Sequence, residues 1–252
     1  MTALFDRAEK ALHPAVFLVL LGLAFAGAPR AALSQTAVDL ELVLAVDASA
    51  SVDAGEYALQ MRGIAAAFRS AEVQAAIAGG PLGRIAVALA VWAEAERPAD
   101  LSPFVLIEAP MSAERFAQMA ERWPRRVNGG TGIGSGLAHA MRHFDRNGFA
   151  GARQVVDVSG DGRETPPRDY TVLIDTARGM ALSRGVTING LAIETDDPEL
   201  AAWYRAHVAS GPQSFVLAID DYGDFAEAMR RKLLREIEAL PPVSRLDAAR
   251  GR

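Results

Sequence analysis

Short apolar runs alternate with longer amphipathic segments from residue 38 onward. The run 42–46 is apolar at every position, which is typical of a strand that is buried on both faces. Similar runs predict six strands, at 42–46, 84–92, 104–107, 154–158, 186–193 and 214–219. Apolar residues at helical spacing predict helices at 57–68, 112–122, 133–144, 170–184, 198–208 and 225–237.

The alternation of strands and helices predicts an α/β fold with a doubly wound, mainly parallel six-stranded sheet and helices on both faces. Segment 104–107 lies between prolines and fits an edge strand, where a missing ladder donor is tolerated. Ligands of such sheets bind outside the carboxyl ends of the strands, where the strand order reverses. Strands 42–46 and 154–158 are each followed by an acidic residue, and these residues share one crevice if the strands are neighbours.

Five oxygen-bearing residues follow strands or precede helices in this pattern. An Asp-x-Ser-x-Ser motif comes directly after the first strand, a Gly-Gly-Thr-Gly loop precedes a helix, and an Asp-Gly pair follows strand 154–158. The residues concerned are Asp47, Ser49, Ser51, Thr131 and Asp161. Because the set contains only oxygen donors, it suits a hard divalent cation, with Mg²⁺ foremost and Mn²⁺ or Ca²⁺ as alternatives.

Together these motifs resemble the metal-ion-dependent adhesion site of von Willebrand factor type A domains, over residues 38–239. The wider sequence around these motifs is also similar to a bacterial group, domain-of-unknown-function family 1194, in five separate stretches. These stretches are 44–52, 83–91, 155–162, 187–191 and 224–237. The resemblance implies a von Willebrand factor A or Rossmann-like sheet with strand order 3-2-1-4-5-6, in which strand 3 is an antiparallel edge.

The resemblance also implies a role for each residue of the site. Ser49 and Ser51 would coordinate the cation directly, and Thr131 would do so directly or through water. Asp47 and Asp161 would act partly through water and orient the hydroxyls. One position would stay open for an Asp or Glu of a protein partner, because two carboxylates leave a bound dication electrophilic.

Two positions differ from the common family pattern. Ala50 stands where the family often has Gly, and Gly160 precedes Asp161 where many members have Thr. Neither difference removes a coordinating atom.

Each motif taken alone also has an ordinary structural interpretation. Ser51 or Asp53 can cap the first helix, Thr131 can cap a later one, and Asp161-Gly162 is a common turn. His139 and His143 lie four apart on a predicted helix, as zinc ligands can, but without an H-E-x-x-H motif an ordinary helix-face pair is favoured.

Other segments near the predicted site fit no known catalytic motif. The glycine-rich segment 129–136 lacks the spacing of a phosphate-binding loop, and we interpret its glycines as allowing the backbone to approach the cation. Arg163 and Glu164 border the site and are candidates for partner specificity. The basic run 230–232 is interpreted as a solvated face of the last helix.

Composition and charge narrow the function classes. A chain of 252 residues fits one large domain or two small ones, and the net charge of −5 argues against a nucleic-acid partner. The absence of cysteine excludes disulfides and thiolate metal sites. Arg7 and Lys10 precede an apolar stretch at 14–27 and then small residues, which predicts a secretory signal peptide over 1–34, with an uncleaved anchor as the alternative.

We therefore expect a periplasmic or secreted protein without stable membrane insertion after signal cleavage. Its domain would span 38–239, followed by a disordered tail at 240–252. The leading hypothesis is a metal-dependent protein-binding module and not an enzyme. The alternative is a metal-assisted hydrolase of phosphate or ester substrates. Against it, the sequence shows no nucleophile paired with a base near the site. A third hypothesis is a structural domain whose site is empty.

Overall fold

The computed structural model describes residues 35–165 and 171–238, all of which belong to one compact unit. The predicted signal peptide (1–34) and the predicted disordered tail (240–252) lie outside the described residues. The strands are β1 (Thr36–Asp47), β2 (Ile85–Trp92), β3 (Asp100–Leu101), β4 (Val105–Ile107), β5 (Phe149–Gly160), β6 (Val186–Ile193) and β7 (Val216–Ile219). The α-helices are α1 (Ala54–Arg69), α2 (Ala71–Ala78), α3 (Pro110–Glu121), α4 (Ile133–His143), α5 (Ile174–Arg184), α6 (Leu200–His207) and α7 (Phe225–Glu238).

The sheet has the predicted strand order. Its strands run β3-β2-β1-β5-β6-β7, and β4 also pairs with β2. All pairings are parallel except those of β3 and β4 with β2, so the predicted antiparallel edge is confirmed. The predicted third strand corresponds to β4, and the two-residue β3, which the sequence pattern did not reveal, extends the same edge.

The central strand β1 is buried on both faces, as its apolar run predicted. Leu42 and Leu44 face one layer of the core, which α1, α3 and α7 cover, while Val43 faces the other layer, under α4, α5 and α6. Burial of each such side chain contributes roughly 1.5–3 kcal/mol. No helix in the described part of the chain is both long and apolar enough to cross a membrane.

Helix starts account for most of the differences from the predicted boundaries. Helix α3 begins at Pro110, so Ser112 lies inside the first turn and is not its N-cap, although its hydroxyl accepts from Ala109 N at 3.1 Å. Proline suits a first helical position because the missing N–H has no helical acceptor there. Helix α5 begins at Ile174, later than predicted, and ends as predicted at Gly185 with φ +68°. Helix α2 was not predicted.

The interpretation of residues 230–232 as a solvated face is wrong for Lys232. Its side chain is fully buried, and its Nζ lies 2.5 Å from Asp157 Oδ1 and 2.9 Å from Glu236 Oε1. Asn189 Nδ2 donates to Glu236 Oε1 at 3.0 Å. Burial and then the charge of Glu236 raise the pKa of Asp157, and the Lys232 ammonium opposes them. One buried cation therefore joins α7 to the middle of β5.

Substitution of Lys232 by Met should reduce the free energy of unfolding by about 3–5 kcal/mol, because both carboxyl groups then lose their buried counter-charge. Urea denaturation measures this change. The control Arg231→Met alters an exposed neighbour and should stay within about 0.5 kcal/mol of wild type. Equal stabilities of the two variants would show that the buried ion pair does not anchor α7.

Candidate metal centre

The structure brings the predicted site residues to one edge of the sheet. Asp47 is the last residue of β1, and Asp161 directly follows β5. These strands are parallel neighbours, with Val46 paired to Ser159, so their carboxyl ends meet. The sequence logic that placed both carboxylates in one crevice is therefore consistent with the observed topology.

A continuous chain of polar contacts connects four of the five residues. Ser49 N donates to Asp47 Oδ1 at 2.7 Å, and the hydroxyls of Ser49 and Ser51 lie 3.2 Å apart. Ser51 Oγ donates to Asp161 Oδ1 at 2.7 Å, across 110 residues of sequence. Two carboxylates and two hydroxyls thus face a common space.

The Thr131 loop contacts both other segments of the site through its backbone. Ala50 N donates to Gly129 O at 2.7 Å, and Thr165 N donates to Thr131 O at 2.9 Å. Gly129 has φ +123°, which disfavours any side chain there. A Cβ on Gly162 would lie 3.7 Å from Thr131 Oγ1, so this hydroxyl faces the turn that follows Asp161.

The two carboxylates form a buried pair of like charges. Asp47 is fully buried and Asp161 is 9% exposed. Burial, and then the negative charge of Asp161, raise the pKa of Asp47 to about 7, while the hydrogen bonds from Ser49 and the charge of Arg125 lower it. Within the described part of the chain, Asp47 Oδ2 has no hydrogen-bond partner. A buried carboxylate with an unsatisfied oxygen is costly unless a cation or a donor compensates it, so this donor set fits a divalent cation.

Asp53, and not Ser51, caps the first helix. Glu56 N donates to Asp53 Oδ1 at 2.8 Å, and Asp53 N donates to Glu56 Oε2 at 2.7 Å, which together form a capping box. The Ser51 hydroxyl is therefore free of the capping role and points to Asp161. This division of roles removes the simplest structural explanation of the second serine.

Several residues that hold the site were not found by sequence reasoning. Arg125 Nη2 donates to the carbonyls of Ala48 and Ser49, at 2.9 and 2.8 Å, behind the serine-bearing loop. Gln60 Nε2 donates to Asp47 O at 3.0 Å. Tyr222 OH donates to Asp161 Oδ2 at 3.0 Å. These residues come from segments without a local motif, so only their position in the fold identifies them.

The glycines of segment 129–136 pack against protein, which differs from the interpretation that they approach a cation. A Cβ on Gly132 would lie 2.5 Å from Ala95 N, and one on Gly136 would lie 2.7 Å from the Trp92 ring. Small residues here allow α4 to start close against the end of β2. The segment positions Thr131 through this packing.

The two candidates for partner specificity occupy different environments. Arg163 is exposed and its guanidinium pairs with Asp197 at 2.6 Å. Glu164 turns inward, where its carboxylate accepts from Gly134 N at 3.1 Å, and burial raises its pKa to about 7. Glu164 therefore holds the start of α4, and of the two only Arg163 presents an exposed charge.

The histidine pair does not form a metal site. His143 Nε2 lies 2.7 Å from Ser102 O, in a hydrogen bond to the backbone. Burial lowers the pKa of His139. Within the described residues, no group of three or more His, Cys, Asp and Glu side chains could hold a metal, so a site at this edge would depend on hydroxyls beside its two carboxylates.

Solved structures share this fold. Proximal thread matrix protein 1 from the mussel byssus matches with a TM-score of 0.53 and 20% identity, in a structure described as having a zinc-occupied MIDAS motif. That match covers 81% of this chain and 46% of the mussel protein, so the chain spans less than half of that protein. The pilus adhesin SpaC from Lactobacillus rhamnosus GG matches with a TM-score of 0.56 and 13% identity, over 80% of this chain and 31% of SpaC.

A third structure matches over nearly its whole length. The vWF domain of the type V pili tip protein Mfa5 from Porphyromonas gingivalis has a TM-score of 0.50 and 12% identity, and the match covers 82% of this chain and 99% of that domain. No curated protein matches the sequence. The family model described as "Protein of unknown function (DUF1194)" matches residues 37–241. The chain therefore belongs to the DUF1194 family, and its domain has the fold of a von Willebrand factor type A domain.

Proposed function

We propose that this protein is a secreted binding module that grips an acidic residue of a protein partner through a divalent cation. The proposed ligands are Asp47, Ser49, Ser51, Thr131 and Asp161. The observation that carries the proposal is the polar chain from Asp47 to Asp161, which joins two buried carboxylates through two serine hydroxyls. A fold without a ligand at this edge would gain nothing from burying two like charges together.

Each residue has a role that its contacts support. The Ser49 and Ser51 hydroxyls would be direct ligands, and Asp161 orients Ser51 by accepting a hydrogen bond from its hydroxyl. Asp47 orients Ser49 through the backbone N–H and supplies negative charge. When bound, the cation would supply an open coordination position that attracts a carboxylate of the partner. Two carboxylates balance a dication without the excess negative charge that would repel such a partner.

Magnesium is the proposed cation, with Mn²⁺ or Ca²⁺ as alternatives. Oxygen-only ligand sets favour these hard ions, and neutral hydroxyls bind them modestly. We expect a dissociation constant of about 10⁻⁴ to 10⁻³ M, similar to that of extracellular calcium modules. The mussel structure with a zinc-occupied MIDAS motif supports a divalent cation in general.

We also propose that the protein acts in the periplasm or outside the cell. The signal pattern predicted for residues 1–34 supports this location, as does the fold shared with a pilus adhesin and a pili tip protein. The absence of cysteine agrees with an oxidising compartment.

A metal-assisted hydrolase is the competing hypothesis, since a metal-bound water can act as a nucleophile. Cation-dependent turnover of a generic phosphoester, abolished by Ser49→Ala, would support the hydrolase and contradict a pure binding role. The hydrogen-bond donors around the site position loops and carboxylates. This arrangement favours the binding module over the hydrolase.

Calorimetry with Mg²⁺ or Mn²⁺ should show binding to the wild type and none to Asp47→Ala or Ser49→Ala, because each change removes a proposed ligand or the group that orients it. Asp196→Ala is the matched control, since this exposed carboxylate lies just beyond β6 at the same edge of the sheet. Equal heats from wild type and Asp47→Ala would contradict the metal site.

The isosteric change Asp47→Asn should affect stability and metal binding in opposite directions. With a pKa of about 7 in place of 3.8, folded Asp47 keeps a proton that the unfolded chain loses, so its contribution to stability falls as the pH rises from about 4 to 7. At pH 8 without metal, Asp47→Asn should therefore melt at a higher temperature than wild type.

Added Mn²⁺ should raise the melting temperature of the wild type, increasingly as the pH rises through 7, and should leave Asp47→Asn unchanged. The difference in melting temperature between wild type and Asp47→Asn reports on Asp47 alone, because other buried acids such as Glu164 and Asp157 are the same in both proteins. A difference that is independent of both pH and Mn²⁺ would contradict the proposed role of this carboxylate.

Capture of a partner from periplasmic extract should require the cation. Immobilised wild type should retain a protein that a chelator releases, whereas Asp47→Ala should not retain it. Retention that survives both the chelator and the substitution would show that binding occurs on another surface.

A further inference from the structure

Tyr204 lies on helix α6, and its side chain packs against Gly160 and Gly190 beside the proposed metal site. Its side chain is fully buried, and a Cβ on Gly190 would lie 3.0 Å from its Cδ1 atom. A Cβ on Gly160 would lie 2.6 Å from its hydroxyl. Two glycines on the neighbouring strands β5 and β6 thus leave the space that the phenol ring occupies.

The Tyr204 hydroxyl and Asp47 Oδ2 flank the same point. A Cβ on Gly160 would lie 2.8 Å from Asp47 Oδ2 as well as 2.6 Å from the phenol oxygen. Both atoms are buried, and neither has a hydrogen-bond partner among the residues that the structure describes. One atom is a donor and the other an acceptor, so a hydrogen bond between them would satisfy both.

Two other donors at the site are already engaged. Asp47 Oδ1 accepts from Ser49 N, and the Tyr222 hydroxyl donates to Asp161 Oδ2. Tyr204 is therefore the buried phenol whose hydroxyl is still available to Asp47 Oδ2. An oxygen of a carboxylate has two lone pairs, so Oδ2 can accept from the phenol and still face a cation or its water.

We propose that Tyr204 is a positioning residue for the metal site, which donates a hydrogen bond to Asp47 Oδ2 and fixes this carboxylate toward the cation. A phenol suits this role because it stabilises a carboxylate without adding positive charge that would repel a dication. Gly160 is the residue that leaves room for the hydroxyl at this position.

The start of α6 is held by hydrogen bonds to the loop that follows Asp161 and to the end of β6. Arg163 Nε donates to Asp197 Oδ2 at 2.6 Å, and Ala201 N donates to Glu194 Oε1 at 3.0 Å. These contacts tie the Asp161 loop and the end of β6 to the first turns of the helix that carries Tyr204. Contacts with two neighbouring segments thus hold helix α6, which carries Tyr204, in place.

This inference rests on the proposed function, and Mn²⁺ alone is the probe. Tyr204→Phe removes only the hydroxyl, and we expect Mn²⁺ affinity to fall about tenfold or more, as for loss of a hydrogen bond to a charged group. The unfolding midpoint of the metal-free protein should stay within about 4 °C of wild type. Tyr57→Phe is the matched control, because that phenol donates to the backbone carbonyl of Trp123 at 3.3 Å, and its affinity should remain within twofold of wild type.

Gly160→Ala provides a second test, since the new methyl group would press on both atoms. Its loss of Mn²⁺ affinity should be smaller in the Tyr204→Phe background than in wild type, because both changes break one contact. Wild-type affinity in Tyr204→Phe, equal losses in Tyr204→Phe and Tyr57→Phe, or strictly additive losses with Gly160→Ala would each overturn the role of Tyr204. Absence of Mn²⁺ binding to the wild type would instead refute the metal site itself, and this inference with it.

Discussion

The repulsion between two buried carboxylates at the carboxyl edge of β1 and β5 is the constraint on which the site depends. Asp47 and Asp161 are placed together because their strands are parallel neighbours. Burial, and then the negative charge of Asp161, raise the pKa of Asp47 to about 7. Such an arrangement is costly to a fold by itself, and a divalent cation would convert the cost into affinity.

The protein treats a second buried acid on the same sheet differently. Asp157, four residues before Asp161 on β5, has the internal cation Lys232 at 2.5 Å. Asp47 and Asp161 have no Lys or Arg side chain in an ion pair with them among the described residues. The buried charge beside α7 is thus compensated by a lysine of the protein itself, whereas under the proposed function a bound cation would compensate the pair at the sheet edge.

Neutral or backbone-directed donors surround the site. The Tyr222 hydroxyl donates a hydrogen bond to Asp161 Oδ2, and Gln60 Nε2 donates one to the backbone carbonyl of Asp47. Arg125, the nearby cation, directs its hydrogen bonds to two backbone carbonyls and so holds the serine loop in place. These contacts fix the geometry of the site, and none of them is an ion pair with Asp47 or Asp161.

The sequence by itself determined the layered fold and the five candidate ligands. Periodicity shows which residues are buried, and a motif at a strand end shows which side chains meet, because both depend on local spacing and on the rule that parallel strands share an edge. Tertiary structure alone decided that Asp53 caps α1 in place of Ser51, that Lys232 is buried, and that the Tyr204 hydroxyl and Asp47 Oδ2 both lie close to Gly160. These outcomes depend on distances between segments that are far apart in sequence. A charged or aromatic residue on an amphipathic helix has the same local sequence pattern whether it contacts solvent or a buried partner.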